Sequence, residues 1–302
     1  MRVIFLGTGA GIPTASRALP AIAILRKGEL LLYDVGEGTQ RQMVLSKIGF
    51  CRRTKIFITH MHGDHIFGLH GLIQTMSLLG RKKPLYIYGP TGVSKFVNSI
   101  KKIGHFGLSY EIKIFEVDEG IVSQNNEYKV IACSSDHSTK NLAYGLIEND
   151  RPGKFYPEKA ESLNVPEGPL WSRLQHGKEV RLVDNSIVKS HQVIGEPRPG
   201  RKIVYTGDTK PSDKIINLAY NADLLIHEST VDDVFKEKAE EGGHSTTSQA
   251  AQIAKKAHVK NLILTHISAR YKNDKIMMRQ AKKIFQNVVI AKDFMEIEIP
   301  YS

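Results

Sequence analysis

KIFITHMHGDH, residues 55–65, joins an apolar, β-branched run to three histidines and one aspartate within six positions. Such a run predicts a buried strand, so the cluster would lie in the loop at the end of that strand. Imidazole nitrogens and carboxylate oxygens suit zinc and, less exclusively, manganese or iron. Four potential ligands exceed what one catalytic zinc usually draws from a short segment. The run therefore predicts two metal ions side by side, with His60 and His62 facing one and Asp64 and His65 facing the other.

Four isolated polar residues follow other apolar runs that are typical of strands. They are Asp34, His137, Asp208 and His266. In many α/β sheets ligands bind just beyond the carboxyl ends of the strands, so we expect these residues to gather around the same site as the cluster. One such residue alone is weak evidence, because an Asp or His after a strand is commonly an ordinary turn residue.

Length and composition fit a globular protein of one large domain or two smaller ones. Of the 302 residues, 41% are hydrophobic and 24% are charged. No apolar run approaches the ~20 residues needed to span a bilayer. The N-terminus opens into a predicted strand without a signal-peptide pattern, and Cys51 and Cys133 are too few for a disulfide framework. These features predict a cytoplasmic protein without a membrane partner.

The formal net charge of +11 is unevenly distributed along the chain. One basic stretch runs from Gly38 to Tyr110 with Asp64 as its single acid, and a second runs from Lys255 to Lys283 with Asp274 as its single acid. The densest points of the first stretch are Arg52-Arg53, Arg81-Lys82-Lys83 and Lys101-Lys102. A basic field beside a metal site favours a polyanionic substrate such as nucleic acid. Generic surface lysine is the alternative interpretation.

The alternation of strand and helix patterns is interrupted once. Residues 146–202 are polar and contain several prolines, with short helical patterns and two short alternating stretches. This segment is too structured for a linker and too small for an independent core. We therefore predict a core formed by residues 1–145 and 203–302, with residues 146–202 inserted as a projecting arm.

The chain resembles the metallo-β-lactamase superfamily and, within it, the tRNase Z family of tRNA 3′-processing endoribonucleases. The superfamily resemblance rests on the cluster at residues 60–65 and on the four strand-end residues. The motifs typical of tRNase Z are Phe5-Leu-Gly-Thr-Gly, Asp34-Val-Gly-Glu-Gly-Thr-Gln, Asp64-His-Ile-Phe-Gly-Leu-His, Arg151-Pro-Gly-Lys, Gly168-Pro169, His227-Glu-Ser-Thr and His244-Ser-Thr. The resemblance covers nearly the whole chain, although Ser229 replaces an alanine that is common in the family.

The resemblance implies an α/β fold: a four-layer αββα sandwich with the metal ions at one edge between the sheets. It also implies two zinc ions per subunit. One zinc would be held by His60, His62 and His137 and the other by Asp64, His65 and His266. Asp208 would bridge the two ions, together with an oxygen from water.

The resemblance further implies a mechanism. Metal-activated hydroxide would attack the phosphodiester in line with the leaving 3′ oxygen, leaving a 3′-hydroxyl on the tRNA and a 5′-phosphate on the trailer. Asp64 would orient or deprotonate the water. His244 would donate a proton to the leaving oxygen, with Glu228 as its orienting partner. Without the resemblance, His244 would more simply be a loop residue before a helix that begins near Ser245 or Thr246.

The resemblance also identifies partners. Precursor tRNA would be gripped by the arm, and the family implies a homodimer in which the arm of one subunit holds tRNA whose 3′ end enters the other subunit. The arm residues predicted to contact tRNA are Lys154, Gly168, Pro169, Arg173 and Lys178.

Two other functions remain open from the sequence. A small-molecule hydrolase of the same fold, such as a lactonase, thioesterase or β-lactamase, needs neither the basic stretches nor the arm. A related enzyme that cleaves small or cyclic phosphodiesters is harder to exclude. A nucleic-acid-binding protein with a structural zinc usually has a closed, cysteine-rich ligand set, whereas these ligands are His and Asp. The number of bound metal ions would distinguish the binding protein from the hydrolase.

Overall fold

Two seven-stranded sheets form the centre of the protein in a computed structural model that describes residues 1–103 and 107–301, without the side chains of residues 100–103. In spatial order, the first sheet contains β18 (Glu296–Glu298), β1 (Arg2–Gly7), β3 (Ala21–Arg26), β4 (Glu29–Tyr33), β5 (Arg53–Phe57), β6 (Leu85–Gly89) and β7 (Ile112–Glu116). The second contains β17 (Val288–Ile290), β15 (Leu262–Thr265), β14 (Leu224–Glu228), β13 (Lys202–Tyr205), β10 (Asn141–Glu148), β9 (Tyr128–Ser135) and β8 (Gly120–Gln124). Two short pairs complete the strands: β2 (Gly9–Ala10) with β16 (Ile267–Ser268), and β11 (Val180–Arg181) with β12 (Ile187–Val188).

The α-helices are short or of moderate length. They are α1 (Thr39–Leu45), α2 (Gly63–Ile66), α3 (Gly68–Leu78), α4 (Val93–Ile103), α5 (Pro157–Ser162), α6 (Pro169–Gln175), α7 (Asp213–Ala219), α8 (Lys236–Gly242), α9 (Thr247–Lys256) and α10 (Lys275–Ile284). Single 3₁₀ turns lie at Ser190–Gln192 and Asp233–Phe235. Within the two described ranges, every helix is too short or too polar to cross a bilayer.

Side chains of successive residues on β1 enter different hydrophobic layers, as the two-residue period of a strand requires. Val3 and Phe5 point into the layer between the two sheets, whereas Ile4 and Leu6 point into the layer beneath α1 and α3. A third apolar layer lies between the second sheet and the helices α7, α9 and α10. Helices therefore cover the outer face of each sheet, and the predicted αββα sandwich is confirmed.

Parallel pairing brings several strand ends to one edge of the sandwich. In the first sheet β4, β5 and β6 are parallel neighbours, and in the second sheet β13, β14 and β15 are parallel neighbours. Parallel strands present their carboxyl ends at the same edge of a sheet. The loops that follow β4, β5, β13 and β15 contain most of the polar residues singled out in the sequence.

The chain divides into two compact units. The larger unit consists of Met1–Ile147 and Lys202–Pro300, and the smaller consists of Glu148–Arg201 together with Tyr301. The smaller unit contains α5, α6 and the β11–β12 hairpin around a small apolar core: Ala160, Val165, Leu174, Val180, Val188 and Val193. A buried ion pair joins Arg201 Nε to Glu148 Oε2 at 2.7 Å where the chain enters and leaves this unit.

Candidate metal centre

Asp208 lies at the centre of the predicted ligands. Its Oδ2 atom is 3.7 Å from His60 Nε2, 3.4 Å from His65 Nε2 and 3.3 Å from His266 Nε2. Burial alone would raise the pKa of Asp208, but His266 and His65 outweigh burial and hold the pKa well below its usual range. A buried anion is thus surrounded by imidazole nitrogens.

Two groups of three donors flank Asp208, and together the structure brings all seven predicted ligands into one cluster. His60, His62 and His137 form one group, and Asp64, His65 and His266 form the other. Within each group the potential ligand atoms lie within 4.8 Å of one another. In the first group His62 Nδ1 is 3.1 Å from His60 Nε2 and 3.3 Å from His137 Nε2.

Three buried atoms of this cluster indicate what the cluster is built to hold. Among the described residues, His65 Nε2, His266 Nε2 and Asp208 Oδ1 have no hydrogen-bond partner. Buried polar atoms normally have one. Two ligand atoms on one tetrahedral ion, each ~2.1 Å from it, are ~3.4 Å apart, which matches the separations around Asp208 Oδ2. The residues therefore fit divalent metal ions.

Each of four histidines has its Nδ1 atom fixed by a hydrogen bond, which directs Nε2 into the cluster. His65 Nδ1 donates to Asp34 Oδ2 at 2.8 Å, and His137 Nδ1 donates to the Gly243 carbonyl at 2.8 Å. His60 Nδ1 lies 2.9 Å from Thr59 Oγ1, and His266 Nδ1 lies 2.8 Å from Thr230 Oγ1. Partners of this kind set the tautomer and the ring orientation of metal-binding histidines.

The ionisation of two cluster residues also suits a metal site. Burial and the neighbouring His65 lower the pKa of His60 to about 2, so this ring is neutral near pH 7, the form that binds metals. Burial would raise the pKa of Asp64, but His266, whose Nε2 lies 3.5 Å from Asp64 Oδ2, and the charge of His65 hold it below its usual range. Asp64 is therefore an ionised carboxylate, and its Oδ2 also accepts a hydrogen bond from the Gly11 N–H at 2.9 Å.

Asp34 positions ligands and is not itself part of either donor group. Its carboxylate accepts hydrogen bonds from the Thr59 N–H at 2.8 Å, from the Thr59 hydroxyl at 3.0 Å, from His65 and from the Tyr205 hydroxyl at 2.9 Å. Because Thr59 also contacts the His60 ring, one buried carboxylate orients both His65 and His60. The sequence drew attention to Asp34 but gave it no role.

His244 and Glu228 form a pair beside the cluster. His244 Nδ1 lies 2.9 Å from Glu228 Oε1 and 3.9 Å from Asp208 Oδ2. Burial lowers the pKa of His244, but the hydrogen bond and the charge of Glu228 outweigh burial and raise the pKa to about 9. No described residue accepts a hydrogen bond from His244 Nε2, and the side chain is 21% exposed. This ring can present a proton to a molecule that enters from solvent.

The helix after His244 is capped by another residue. Thr246 is the N-cap of α9 and forms a capping box with Gln249, while the Ser245 hydroxyl donates to the Thr209 carbonyl. The capping-loop interpretation of this segment therefore applies to Thr246, and His244 remains available for another role.

Comparisons with known proteins show which family the chain belongs to. Residues 1–151 match the family model described as anti-Pycsar protein Apyc1, and residues 173–267 match the β-lactamase superfamily domain. The chain is 49% identical over 302 residues to the ribonuclease Z of Methanosarcina acetivorans, covering 100% of this chain and 99% of that protein. It is 44% identical over 299 residues to the ribonuclease Z of Methanothermobacter thermautotrophicus, covering 99% and 97%. The chain belongs to the ribonuclease Z family.

A solved structure agrees with this family assignment. The crystal structure of human tRNase Z, short form, matches with a TM-score of 0.72 at 31% identity and covers 99% of this chain and 100% of that chain. The resemblance to the tRNase Z family drawn from sequence motifs is therefore confirmed.

The basic stretch between Gly38 and Tyr110 is less available to a polyanion than the sequence indicated. Arg81 is fully buried, and its guanidinium donates to backbone carbonyls of Phe50, Arg52, Lys83 and Pro84 at 2.8 to 2.9 Å. Lys82 and Lys83 are exposed, and the side chains of Lys101 and Lys102 lie outside the described residues.

The second basic stretch is an exposed surface. Its basic side chains are exposed: Lys255, Lys256, Lys260, Arg270, Lys272, Lys275, Arg279, Lys282 and Lys283. In the smaller unit, the predicted tRNA-binding residues Lys154, Gly168, Pro169, Arg173 and Lys178 are likewise exposed. Gly168 adopts φ 125, where a side chain would be strained, and Pro169 begins α6.

Sequence reasoning missed three residues that orient the ligands. Thr59 and Thr230 lie within quoted motifs, so their position was a usable signal. Gly243 directly precedes the His244 motif, but its contribution is a backbone carbonyl, which residue chemistry does not reveal. It adopts φ 76, and a Cβ atom there would lie 2.7 Å from His137 Nδ1. Glycine is therefore required for this approach to His137.

Proposed function

We propose that this protein is a metal-dependent endoribonuclease that removes the 3′ trailer from precursor tRNA by hydrolysing one phosphodiester bond. The observation that carries the proposal is the convergence of unpartnered His65, His266 and Asp208 atoms in one buried cluster, in a chain that is 49% identical over its length to a curated ribonuclease Z. A site of this kind suits hydrolysis, because a His and Asp donor set leaves room for substrate and water.

We further propose that the resident metal is zinc, with two ions per subunit. His60, His62 and His137 would hold one ion, Asp64, His65 and His266 the other, and Asp208 both. Two such ions lower the pKa of water and stabilise negative charge on a phosphodiester. The nitrogen and oxygen donor set supports zinc, and the two triads on either side of Asp208 support the number.

The chain's own residues would handle the protons. Asp64 would accept a hydrogen bond from the attacking water and so orient it or take its proton. His244 would donate a proton to the 3′ oxygen as the P–O3′ bond breaks. Glu228 would hold the His244 ring in place through its 2.9 Å contact with Nδ1. The products would be a tRNA with a 3′-hydroxyl and a trailer with a 5′-phosphate.

The direct test of this function is cleavage of a 3′-extended precursor tRNA by the metal-loaded protein. We expect one cut at the tRNA–trailer junction, with a 3′-hydroxyl on the upstream product. Asp208→Ala serves as the inactive control, and bis(p-nitrophenyl) phosphate serves as a small comparison substrate. Hydrolysis of the small phosphodiester without cleavage of precursor tRNA would refute the assignment in favour of a small or cyclic phosphodiesterase.

We propose that the arm, residues 146–202, binds tRNA. Lys154, Arg173 and Lys178 are exposed cations, and Gly168-Pro169 shapes the start of α6. All seven proposed metal ligands belong to the larger unit. Removing the arm should therefore weaken tRNA binding while sparing hydrolysis of a small phosphodiester.

The small core of the arm determines how it should be removed. Deleting only Arg151 to Lys178 would leave Val180, Val188 and Val193 without their packing partners. A cleaner deletion removes Asn149–Gly200 and joins Glu148 to Arg201 through two glycines. The Glu148 N–H already donates to the Arg201 carbonyl at 3.0 Å, and β10 and β13 are antiparallel, so a short hairpin fits.

Salt dependence provides the readout for the arm. Each phosphate that a Lys or Arg neutralises releases counterions, so tRNA affinity of the intact protein should fall more steeply with salt than that of the deletion variant. Equal affinities and equal salt slopes would show that the arm does not bind tRNA.

We propose a homodimer that forms through the C-terminal ends of α1 and α3. Val44, Leu45, Leu78 and Leu79 lie there and are 51 to 80% exposed. α1 and α3 pack side by side, since the Thr75 hydroxyl donates to Gln40 Oε1 at 2.8 Å, which supports grouping these four exposed side chains into one apolar patch. Such patches on a protein surface favour association.

The oligomeric state can be measured by light scattering after size-exclusion chromatography. Leu78→Glu should convert a dimer into a monomer. Val234→Glu is the matched control, because Val234 is equally exposed at 80% but lies outside the patch. A dimer that persists in Leu78→Glu would exclude this surface.

We also propose a cytoplasmic location, which the two free cysteines support.

A further inference from the structure

A crevice at the opposite end of the strands from the metal centre has no role in the proposed reaction. It measures 630 Å³ and lies between the edges of the two sheets in the larger unit. The lining residues used below are Glu29, Arg53, Lys55, Lys83, Tyr88 and Phe115. Lys55 precedes His60 by five residues, so Lys55 lies up to ~16 Å from the metal ligands at the rise of a strand, whereas Tyr88 and Phe115 pair in register with Phe57, three residues before His60. Its volume falls within the ~300–1,000 Å³ range of small-molecule sites.

Aromatic rings form the inner end of the crevice. Phe57, Tyr88 and Phe115 are cross-strand neighbours, and their rings stack at centroid separations of 5.0 Å with interplanar angles of 13°. Phe115 ends the stack on the edge strand β7 and is 41% exposed. A further planar ring can therefore extend the stack, since one face of the terminal ring has no strand beyond it.

Cations replace the aromatic rings toward the other end of the crevice. Lys55 and Tyr86 stand two residues before Phe57 and Tyr88 on the same strands and form the next cross-strand row on this face of the sheet. Arg53 stands two residues before Lys55 and belongs to the row after that. Lys83 precedes β6 on the same side and is exposed. Rows on one face of a strand are ~7 Å apart. A ligand with an aromatic ring and an anionic group one or two rows away would match this order.

The single acid of the crevice lining does not cancel this charge. Glu29 accepts a hydrogen bond from the Tyr128 hydroxyl at 2.8 Å and lies 3.8 Å from Lys55 Nζ, so it is already engaged. Lys55 Nζ donates to Ser123 Oγ at 3.0 Å and to the Tyr128 hydroxyl at 2.9 Å. An ammonium has three donors, and the third faces Glu29, so Lys55 adds positive charge to the crevice without a free donor. Arg53 and Lys83 add uncompensated positive charge among the described lining residues.

We propose that this crevice is a second binding site, for a nucleotide whose base stacks on the exposed ring of Phe115 and whose phosphate meets Arg53 and Lys83. The shared chemistry is a purine or pyrimidine ring joined to a phosphate. A free mononucleotide and one nucleotide of an RNA strand both carry it. The site is separate from the proposed catalytic reaction and does not depend on it.

The test is calorimetric titration of the metal-loaded, full-length protein with AMP. Phe115→Ala removes the terminal ring of the stack and should weaken AMP binding at least ~5-fold, as expected for lost base stacking. Lys83→Ala should weaken it at least ~3-fold, and adenosine should bind more weakly than AMP, because a charged contact with the phosphate is lost. Ile121→Ala and Lys82→Ala are the matched controls, since both residues are exposed but do not line the crevice.

Each outcome supports or overturns the proposal. Absence of AMP binding up to ~5 mM, or binding that is unchanged in both Phe115→Ala and Lys83→Ala, would overturn it. Unchanged binding in both variants would assign the AMP to the metal centre. A single-stranded oligoribonucleotide forms the second arm: tighter binding than AMP with the same dependence on Phe115 assigns the site to RNA, and the reverse order assigns it to free nucleotides.

Discussion

Replacing Glu228 by glutamine should slow cleavage of precursor tRNA while leaving the metal ions in place. The substitution preserves the size of the side chain but removes its charge and one acceptor. Among the described residues, no hydrogen bond joins Glu228 to a proposed metal ligand, and Thr230 contacts both Glu228 and His266. Its clearest contact is the 2.9 Å hydrogen bond to His244 Nδ1. The rate should therefore fall because the proposed general acid loses its support.

The magnitude follows from the hydrogen bonds that the carboxylate accepts. Oε1 accepts from His244 and from the N–H groups of Thr209 and Ser245, both at 3.1 Å, and Oε2 accepts from the N–H and hydroxyl of Thr230, both at 2.9 Å. A glutamine offers one oxygen and one NH₂ group, so at least one backbone N–H then faces another donor. That mismatch should cost about 1–3 kcal/mol of stability. Loss of an orienting partner typically lowers activity ~10–100-fold.

Single-turnover cleavage of a 3′-extended precursor tRNA, with metal content measured in parallel, provides the assay. His244→Ala should lower the rate ~10²–10⁴-fold. If Glu228 acts only through His244, the double variant should be no slower than His244→Ala alone. A normal rate in Glu228→Gln, or losses that multiply in the double variant, would refute a positioning role for Glu228.

Three other substitutions test the centre and the core. Asp208→Ala should abolish cleavage and reduce bound zinc by more than His62→Ala does, because Asp208 lies between both donor groups; unchanged zinc content by elemental analysis would contradict the two-ion assignment. Asp34→Asn should lower metal affinity ~10–100-fold, measured by competition with a chelator, because it weakens the support of His65; wild-type affinity would exclude that role. Arg81→Met should lower the free energy of unfolding by about 3–5 kcal/mol, measured by denaturant titration, because four backbone carbonyls lose their donor. The free energy of unfolding of the Lys82→Met control should stay within about 0.5 kcal/mol of that of the wild-type protein. An equal loss of stability in both variants would contradict the role of Arg81 in holding these carbonyls.

Much of the metal centre could be predicted because its residues have a recognisable sequence setting. Each predicted strand-end residue follows an apolar run, and parallel pairing brings the ends of β4 and β5, and of β13 and β15, to the same edge. The spacing within residues 60–65 is equally informative, because a short loop and one helical turn can hold several ligands close together. Periodicity and residue chemistry were sufficient for these features.

Other features of the centre depend on contacts that no periodic pattern reveals. Threonines such as Thr59 and Thr230 are common, and their role arises from distances across the fold. The burial of Arg81 was also invisible, because it stands in a run of three cations that favours an exposed surface. The guanidinium is buried because it links carbonyls at Phe50 and Arg52 to those at Lys83 and Pro84, and these segments are distant in sequence.

Part of the backbone strain in the protein lies at the metal centre, where two of the nine described non-glycine residues with positive φ are found. Asp34 and His266 adopt φ values of 56 and 58, a left-handed conformation that costs a residue with a side chain ~1–2 kcal/mol. Both stand immediately after a strand, where the chain must turn sharply for the side chain to face the cluster. The hydrogen bonds to Asp34 and the 2.8 Å contact of His266 with Thr230 hold these conformations. The same contacts orient His65 and His266, so the hydrogen bonds that hold the two strained turns also aim the donor atoms of these ligands at the cluster.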